Sequence, residues 1–121
     1  MLKRGGEKTV ERVNENEKEY RWGKSGVKYL FRGPRIDWGV LLLLPGEKMG
    51  AHGHREVEET FYFIEGEAKM IVNDVPYQAK AGDAFRIEPG EKHDIHNDSD
   101  KPVKVVFIKC PYIPDDKITY D

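Results

Sequence analysis

Four histidines in this chain of 121 residues fall into two close pairs, His52 with His54 and His93 with His96. Residues two apart on a strand point to the same side, so an extended stretch would present the imidazoles of His52 and His54 on one face. Neutral imidazole binds Fe, Mn, Ni, Zn and Cu. The spacing therefore predicts a metal-binding face, although two solvent-facing residues would give the same pattern.

A carboxylate and a third imidazole could complete such a site. Glu59 lies five residues past His54, which is enough to turn a corner and begin the next strand, 60–64, with its carboxylate directed back towards the rings. His93 would arrive from a later hairpin, and Glu58 is the competing carboxylate. Three or four ligands of these types leave coordination positions free for a bidentate substrate or for dioxygen.

Short strands must position these side chains. Six segments are rich in β-branched, aromatic or aliphatic residues and are separated by Gly, Pro and Asn-Asp turns; they are 27–31, 40–44, 60–64, 68–72, 84–87 and 103–108. No stretch carries an apolar stripe of helical period over three turns. Many short strands at close spacing indicate a sandwich or a barrel, and a barrel also removes exposed strand edges.

The first histidine pair and its surroundings resemble the first motif of the cupin superfamily. That motif is Gly, five residues, His-x-His, three or four residues, Glu, six residues, Gly. Here Gly46 is followed after five residues by His52 and His54, then after four by Glu59, and after six more by Gly66. This agreement of the flanking turns is more specific than the two histidines alone.

The second motif of the superfamily is Gly, five residues, Pro-x-Gly, two residues, His, three residues, Asn. Here Gly82 is followed by Glu88 in place of the proline, and Gly90, His93 and Asn97 stand at the expected distances. A proline comes directly after Glu88, so the turn is still stiffened. Fifteen residues separate the two motifs, as in compact single-domain members.

The resemblance implies an all-β fold, a small β-barrel of the double-stranded β-helix or jelly-roll type. It also implies one divalent transition metal ion (Fe, Mn, Ni, Zn or Cu) as cofactor, with His52, His54, Glu59 and His93 as its ligands. Strand alternation then places Phe61 and Phe63 on the face of Glu59, where we expect them to line a substrate pocket beside the metal.

The remaining residues of chemical interest have simpler interpretations. His96 should point away from His93, and Asn97 should make a structural hydrogen bond at a strand end. Arg86 is expected on a solvated outer face, and Cys110 as a small buried side chain. The aromatic residues outside the motifs are expected to pack under an N-terminal arm or at a dimer contact; they are Trp22, Trp38 and Tyr112.

Composition limits the classes of protein. The net charge is only −2, so a strongly basic face is not expected and nucleic acid is excluded as a partner. No apolar run approaches a membrane span, and residues 1–16 lack the apolar core of a secretory signal. A single cysteine excludes an intrachain disulfide and favours the cytoplasm. We expect an arm over 1–20, a barrel domain over 21–110 and a tail over 111–121.

The sequence says less about the reaction than about the metal. We expect a metal-dependent enzyme acting on a small polar molecule, with oxygenase chemistry favoured. The alternatives are a non-catalytic module that binds a small ligand or senses metal, and a sugar-phosphate isomerase or decarboxylase. The apolar residues within the arm, together with the resemblance to small cupins, predict a homodimer.

Overall fold

The computed structural model describes residues 10–120 together with the backbone of two short strands that precede them. In chain order the strands are β1 (Lys3–Arg4), β2 (Glu7–Lys8), β3 (Gly26–Arg32), β4 (Asp37–Leu43), β5 (His52–His54), β6 (Glu58–Glu65), β7 (Glu67–Val72), β8 (Val75–Lys80), β9 (Ala84–Ile87), β10 (His93–His96), β11 (Val103–Cys110) and β12 (Lys117–Thr119). A single turn of 3-10 helix, Glu15–Glu17, lies between β2 and β3.

Two five-stranded antiparallel sheets make up the body of the molecule. One has the order β12-β5-β10-β7-β8 and the other the order β3-β4-β11-β6-β9. The chain crosses repeatedly from one sheet to the other, which gives the double-stranded β-helix that the sequence predicts. All six predicted strands are present. β9 has the predicted limits, and the other five, β3, β4, β6, β7 and β11, extend beyond theirs at one end or both.

The core lies between the facing sheets and follows from strand alternation. Along β6 the side chains of Glu59, Phe61 and Phe63 are buried, and the side chains between them are more exposed. Along β11 the same pattern buries Val105 and Phe107. Apolar side chains from both sheets therefore fill the centre of the barrel.

The hairpin between β7 and β8 shows how turn chemistry sets register. Asn73 and Asp74 both have positive φ, 49° and 69°, which is the backbone that two-residue hairpin turns require. The turn pairs Val72 with Val75, and the ladder continues to Glu67 with Lys80. The Asn-Asp pair thus makes the hairpin that the sequence predicts.

The arm lies partly against its own barrel. The Lys28 ammonium donates to the Glu15 carbonyl at 2.9 Å and lies 3.9 Å from the centre of the Tyr20 ring. Lys104 pairs with the Glu15 carboxylate at 2.7 Å. The side chains of residues 1–9, which belong to the predicted arm, lie outside the described part of the chain.

The tail contributes an edge strand that we had not predicted. Residues 117–119 form β12, which pairs with β5 so that Lys117 lies opposite His54 and Thr119 opposite His52. Residue 121 lies outside the described residues. In the part of the chain that the structure describes, no helix is long and apolar enough to cross a membrane.

Candidate metal centre

Four buried side chains, one glutamate and three histidines, meet at one point inside the barrel. The Nε2 atoms of His54 and His93 lie 3.0 and 3.1 Å from the same oxygen of Glu59, Oε1, and Nε2 of His52 lies 3.8 Å from it. One donor atom from each side chain falls within 4.8 Å of all the others. The structure therefore brings together the four residues that the sequence predicts as ligands, and three of the donors are imidazole nitrogens.

Backbone carbonyls orient two of the rings. Nδ1 of His52 donates to the Gly50 carbonyl at 2.8 Å, and Nδ1 of His93 donates to the Glu91 carbonyl at 3.1 Å. A carbonyl can only accept a hydrogen bond, so each Nδ1 must carry the proton. In the neutral rings Nε2 then presents a lone pair towards Glu59, which is the tautomer that binds a metal through Nε2.

The directions of these lone pairs show that the four donor groups suit a metal ion. The lone pairs of His52 and His93 converge on a carboxylate oxygen that is itself an acceptor, so the arrangement needs a positive charge between them. A proton or a divalent ion would supply it. Three neutral imidazoles and one carboxylate suit a first-row transition ion, and the burial of all four residues supports such a site.

Two strands of one sheet and one of the other position the ligands. His52 and His93 lie directly opposite each other on β5 and β10, and their ring centres are 4.3 Å apart. Glu59 enters from β6 in the facing sheet. The alternative carboxylate, Glu58, points outward, where it lies 3.6 Å from Arg86.

A buried aspartate of the tail holds the loop between β5 and β6. Oδ2 of Asp116 accepts hydrogen bonds from the backbone N–H groups of Glu56 and Val57, at 2.8 and 2.9 Å. The Asp116 carbonyl also accepts from the N–H of Arg55. This loop joins His54 to Glu59, so Asp116 fixes the path between two proposed ligands.

Electrostatics keep the centre in the protonation state that metal binding needs. Burial lowers the pKa of His52, although the nearby Glu59 carboxylate opposes that effect. Burial by itself would raise the pKa of Glu59, but the three imidazoles that surround its carboxylate outweigh burial and hold that pKa well below its ordinary value. Glu59 is therefore ionised at neutral pH, and His52 remains neutral.

The cluster opens into a cavity of about 210 Å³. Phe61 lines it, whereas Phe63 lies deeper in the core, where its ring packs edge-on against Phe85 at 5.9 Å. The apolar part of the wall also includes Leu41, Met49 and Phe107. A cavity with an apolar wall and a few convergent polar groups is typical of a small-molecule site.

Other residues singled out from the sequence lie outside the centre. His96 faces the opposite side of β10 from His93, and its Nε2 contacts Asp94 at 2.9 Å. The Asn97 amide donates to the Leu43 and Lys101 carbonyls, which is the structural role we expected. Arg86 is exposed on the outer face of β9.

The structure corrects the expectation for Cys110 and locates the aromatic residues outside the motifs. Cys110 is exposed, and the prediction that it is buried was wrong, because it follows the alternation of β11 onto the outer face. Trp22 lines the mouth of the cavity and is 47% exposed. Trp38 packs against Phe31 with ring centres 6.1 Å apart, and the Tyr112 ring lies against Gly33.

Sequence reasoning missed the cations of the cavity. Arg21, Arg32, Lys109 and Lys117 all line it, together with the hydroxyl-bearing ring of Tyr29. The alternation of β11 carries a signal for Lys109, because Val105 and Phe107 point inward and the next inward position is 109. The other three come from separate loops and strands, which only the fold brings together.

The chain belongs to the cupin domain family, whose model matches residues 39–109. It is 28% identical over 85 residues to an uncharacterized protein of Methanocaldococcus jannaschii, a match that covers 70% of this chain and 66% of that one. It is 32% identical over 76 residues to the tetracenomycin polyketide synthase protein TcmJ of Streptomyces glaucescens, covering 63% of this chain and 51% of TcmJ. The chain thus spans about half to two thirds of the length of these curated relatives.

A solved structure shares the fold. The polyketide cyclase RemF of Streptomyces resistomycificus superposes with a TM-score of 0.77 at 16% identity, covering 93% of this chain and 87% of RemF. At that identity the similarity concerns the fold alone.

Proposed function

We propose that this cupin is a metal-dependent enzyme acting on a small, oxygen-bearing polar molecule. The observation that carries the proposal is the convergence of three imidazoles and the Glu59 carboxylate on one point, where His52, His54 and Glu59 line the cavity. A divalent ion held there would act as a Lewis acid or, with iron, manganese or copper, as a redox centre. The metal ligands would be His52, His54, Glu59 and His93.

The chain's own residues support such a role in three ways. The Gly50 and Glu91 carbonyls keep Nε2 of His52 and His93 unprotonated and directed inward. The apolar wall around Phe61 and Phe107 would exclude water from the bound molecule. The cavity of about 210 Å³ has room for a molecule of roughly the size of a substituted benzene ring.

Oxygenase chemistry is our first choice of reaction, because the donor set suits redox-capable ions and leaves coordination positions free. The test is an aerobic turnover screen of the iron-loaded protein against small oxygenated compounds, with oxygen consumption as the readout. We expect substrate-dependent oxygen uptake that is lost in the His52→Ala, His54→Ala, His93→Ala triple variant. Uptake that the triple variant retains would rule out this centre as its source.

A second candidate reaction is cyclisation of a polyketide-like chain. The similarity to TcmJ, a polyketide synthase protein, favours a polyketide-like substrate, and the apolar and aromatic wall of the cavity suits one. Such a reaction would need no oxygen, so product formation under strict anaerobiosis separates it from the oxygenase. A metal-binding module without catalysis would bind metal and show neither activity.

A further inference from the structure

One lysine points into the barrel beside the metal centre. On β11 the inward positions are apolar up to Phe107, and the next one is Lys109, which lies opposite Glu59 in the β11–β6 ladder. Its ammonium donates to the Tyr29 hydroxyl at 2.8 Å and lies 5.2 Å from the centre of the Tyr29 ring. The side chain is thus held in the cavity wall.

The charge of Lys109 is not neutralised by a neighbouring carboxylate. Within the described residues, no carboxylate oxygen lies within 4.0 Å of its ammonium. By contrast, Arg32 is paired with Asp37 through two contacts of 2.9 and 3.0 Å, and Lys104 is paired with Glu15. An ammonium has three N–H donors, and the Tyr29 hydroxyl uses one of them.

Metal binding would increase the excess of positive charge around Lys109. Without metal, Lys109 lies near the negative Glu59 and helps to lower the pKa of that carboxylate. A divalent ion would turn the ligand cluster from negative to positive, so Lys109 would then face a like charge. Arg21 and Lys117 line the same cavity, and its other carboxylate, Asp37, is already paired with Arg32. A partly enclosed cavity with such an excess of positive charge attracts an anion.

We propose that Lys109, held in place by Tyr29, binds a carboxylate of the substrate while oxygen atoms at the other end of that molecule reach the metal. The substrate class is therefore a small, flat or short molecule with chelating oxygens at one end and an anionic group at the other. This inference rests on the proposed function, because it assumes a metal on the histidine cluster. The simpler role for Lys109 is that of a counter-charge to Glu59.

The test uses two probes of the same shape, 3,4-dihydroxybenzoate and 3,4-dihydroxybenzamide. Both can chelate a metal through the diol, and only the acid carries a negative charge at the other end. Their dissociation constants for the zinc-loaded protein are measured by calorimetry. We expect the acid to bind on the order of tenfold more tightly, the usual effect of one hydrogen bond to a charged group.

Lys109→Met removes the charge and keeps an unbranched side chain that is one atom shorter, so the preference for the acid should fall to about one. Lys104→Met is the matched control on the same strand, because Lys104 pairs with Glu15 away from the cavity and the preference should persist. Tyr29→Phe keeps the charge and loses the bond that holds it, so the preference should fall in part. This variant decides the question should Lys109→Met not fold.

Equal binding of acid and amide by the wild type would overturn the proposal, as would a preference undiminished in Lys109→Met or Tyr29→Phe. If Lys109 serves only Glu59, its replacement changes the affinity for zinc and leaves the ratio of the two probes as it was. Failure of the proposed function looks different. In that case zinc does not bind, or the triple histidine variant binds the amide as tightly as the wild type does.

Discussion

The positions of two protons decide what the histidine cluster can bind. Because the Gly50 and Glu91 carbonyls each take an Nδ1–H, the Nε2 lone pairs of His52 and His93 are directed at Glu59. The backbone thus selects the metal-binding tautomer before any metal arrives, and Asp94 adds to this by accepting the Gly50 N–H at 2.9 Å.

Replacing one ligand should remove tight metal binding. In His93→Ala we expect zinc affinity to fall by more than about 100-fold, since loss of even an outer partner of a metal ligand costs roughly 10–100-fold. Elemental analysis and competition titration measure it. His96→Ala is the matched control, because His96 faces the other side of the strand and should leave binding unchanged. Equal losses in the two variants would contradict the assignment.

Metal affinity should depend on pH in a defined direction. An imidazole binds metal only when neutral, so protons compete below its pKa, which is about 6.5 when unperturbed. Burial lowers the pKa of His52, and Glu59 stays ionised because its pKa lies well below its ordinary value. We expect affinity to be constant above about pH 7 and to fall below about pH 6. Equal affinities at pH 5 and pH 7.5 in a competition titration would argue against imidazole ligands.

Among the elements, the tail controls the loop between two ligands. Asp116→Ala would leave the buried N–H of Val57 and that of Glu56 without their acceptor, at a cost of about 1–3 kcal/mol. We expect a lower melting temperature and weaker zinc binding, because the path from His54 to Glu59 loosens. Asp116→Asn keeps one acceptor oxygen, so its melting temperature and zinc affinity should fall less. Asp115 is exposed, so Asp115→Ala should change both quantities little. Thermal melts with and without zinc measure both effects. If zinc raises the melting temperature of Asp116→Ala as much as that of the wild type, the loop does not depend on Asp116.

Two motif glycines should respond differently to alanine. Gly46 and Gly66 have nearly the same φ, +86° and +85°, so each substitution carries the strain of a left-handed backbone, roughly 1–2 kcal/mol. At Gly46 the new Cβ meets nothing within 4 Å, whereas at Gly66 it would lie close to the Pro102 carbonyl oxygen. Gly66→Ala should therefore have the lower midpoint of urea denaturation of the two variants. Equal midpoints would show that the backbone at Pro102 can move away from the new Cβ.

The sequence predicts those elements whose neighbouring residues are typical of a particular turn, strand or motif. Asn73-Asp74 predicts a hairpin, and the resemblance of the two histidine motifs to those of cupins predicts the proposed ligand set. It does not predict β12, because Ile118 is the one apolar residue of that strand and its pairing with β5 spans more than sixty positions. Nor does it reveal that Arg21 and Lys109 share a cavity, since they come from opposite ends of the chain.

For the whole molecule, the homodimer remains a prediction. Trp22 is 47% exposed and Val10 is 87% exposed, so apolar surface is available on and beside the arm, although Glu15 and Tyr20 contact their own barrel. We expect light scattering at micromolar concentration to give twice the 14.0 kDa of one chain. A mass of 14.0 kDa would contradict it. Deleting residues 1–20 should weaken the dimer and leave zinc binding intact, because no ligand lies there.

The pairing of β12 with β5 has a consequence for biosynthesis. On the ribosome His52, His54, Glu59 and His93 emerge in that order, and Asp116 and the strand that covers His52 and His54 emerge after all of them. Until then β5 has one free edge and the loop to Glu59 lacks its anchor. A nascent chain can therefore expose three imidazoles to cellular metal before the enclosure that shapes their geometry exists. A metal ion bound by this cluster would therefore reach its final coordination geometry only after the tail has emerged.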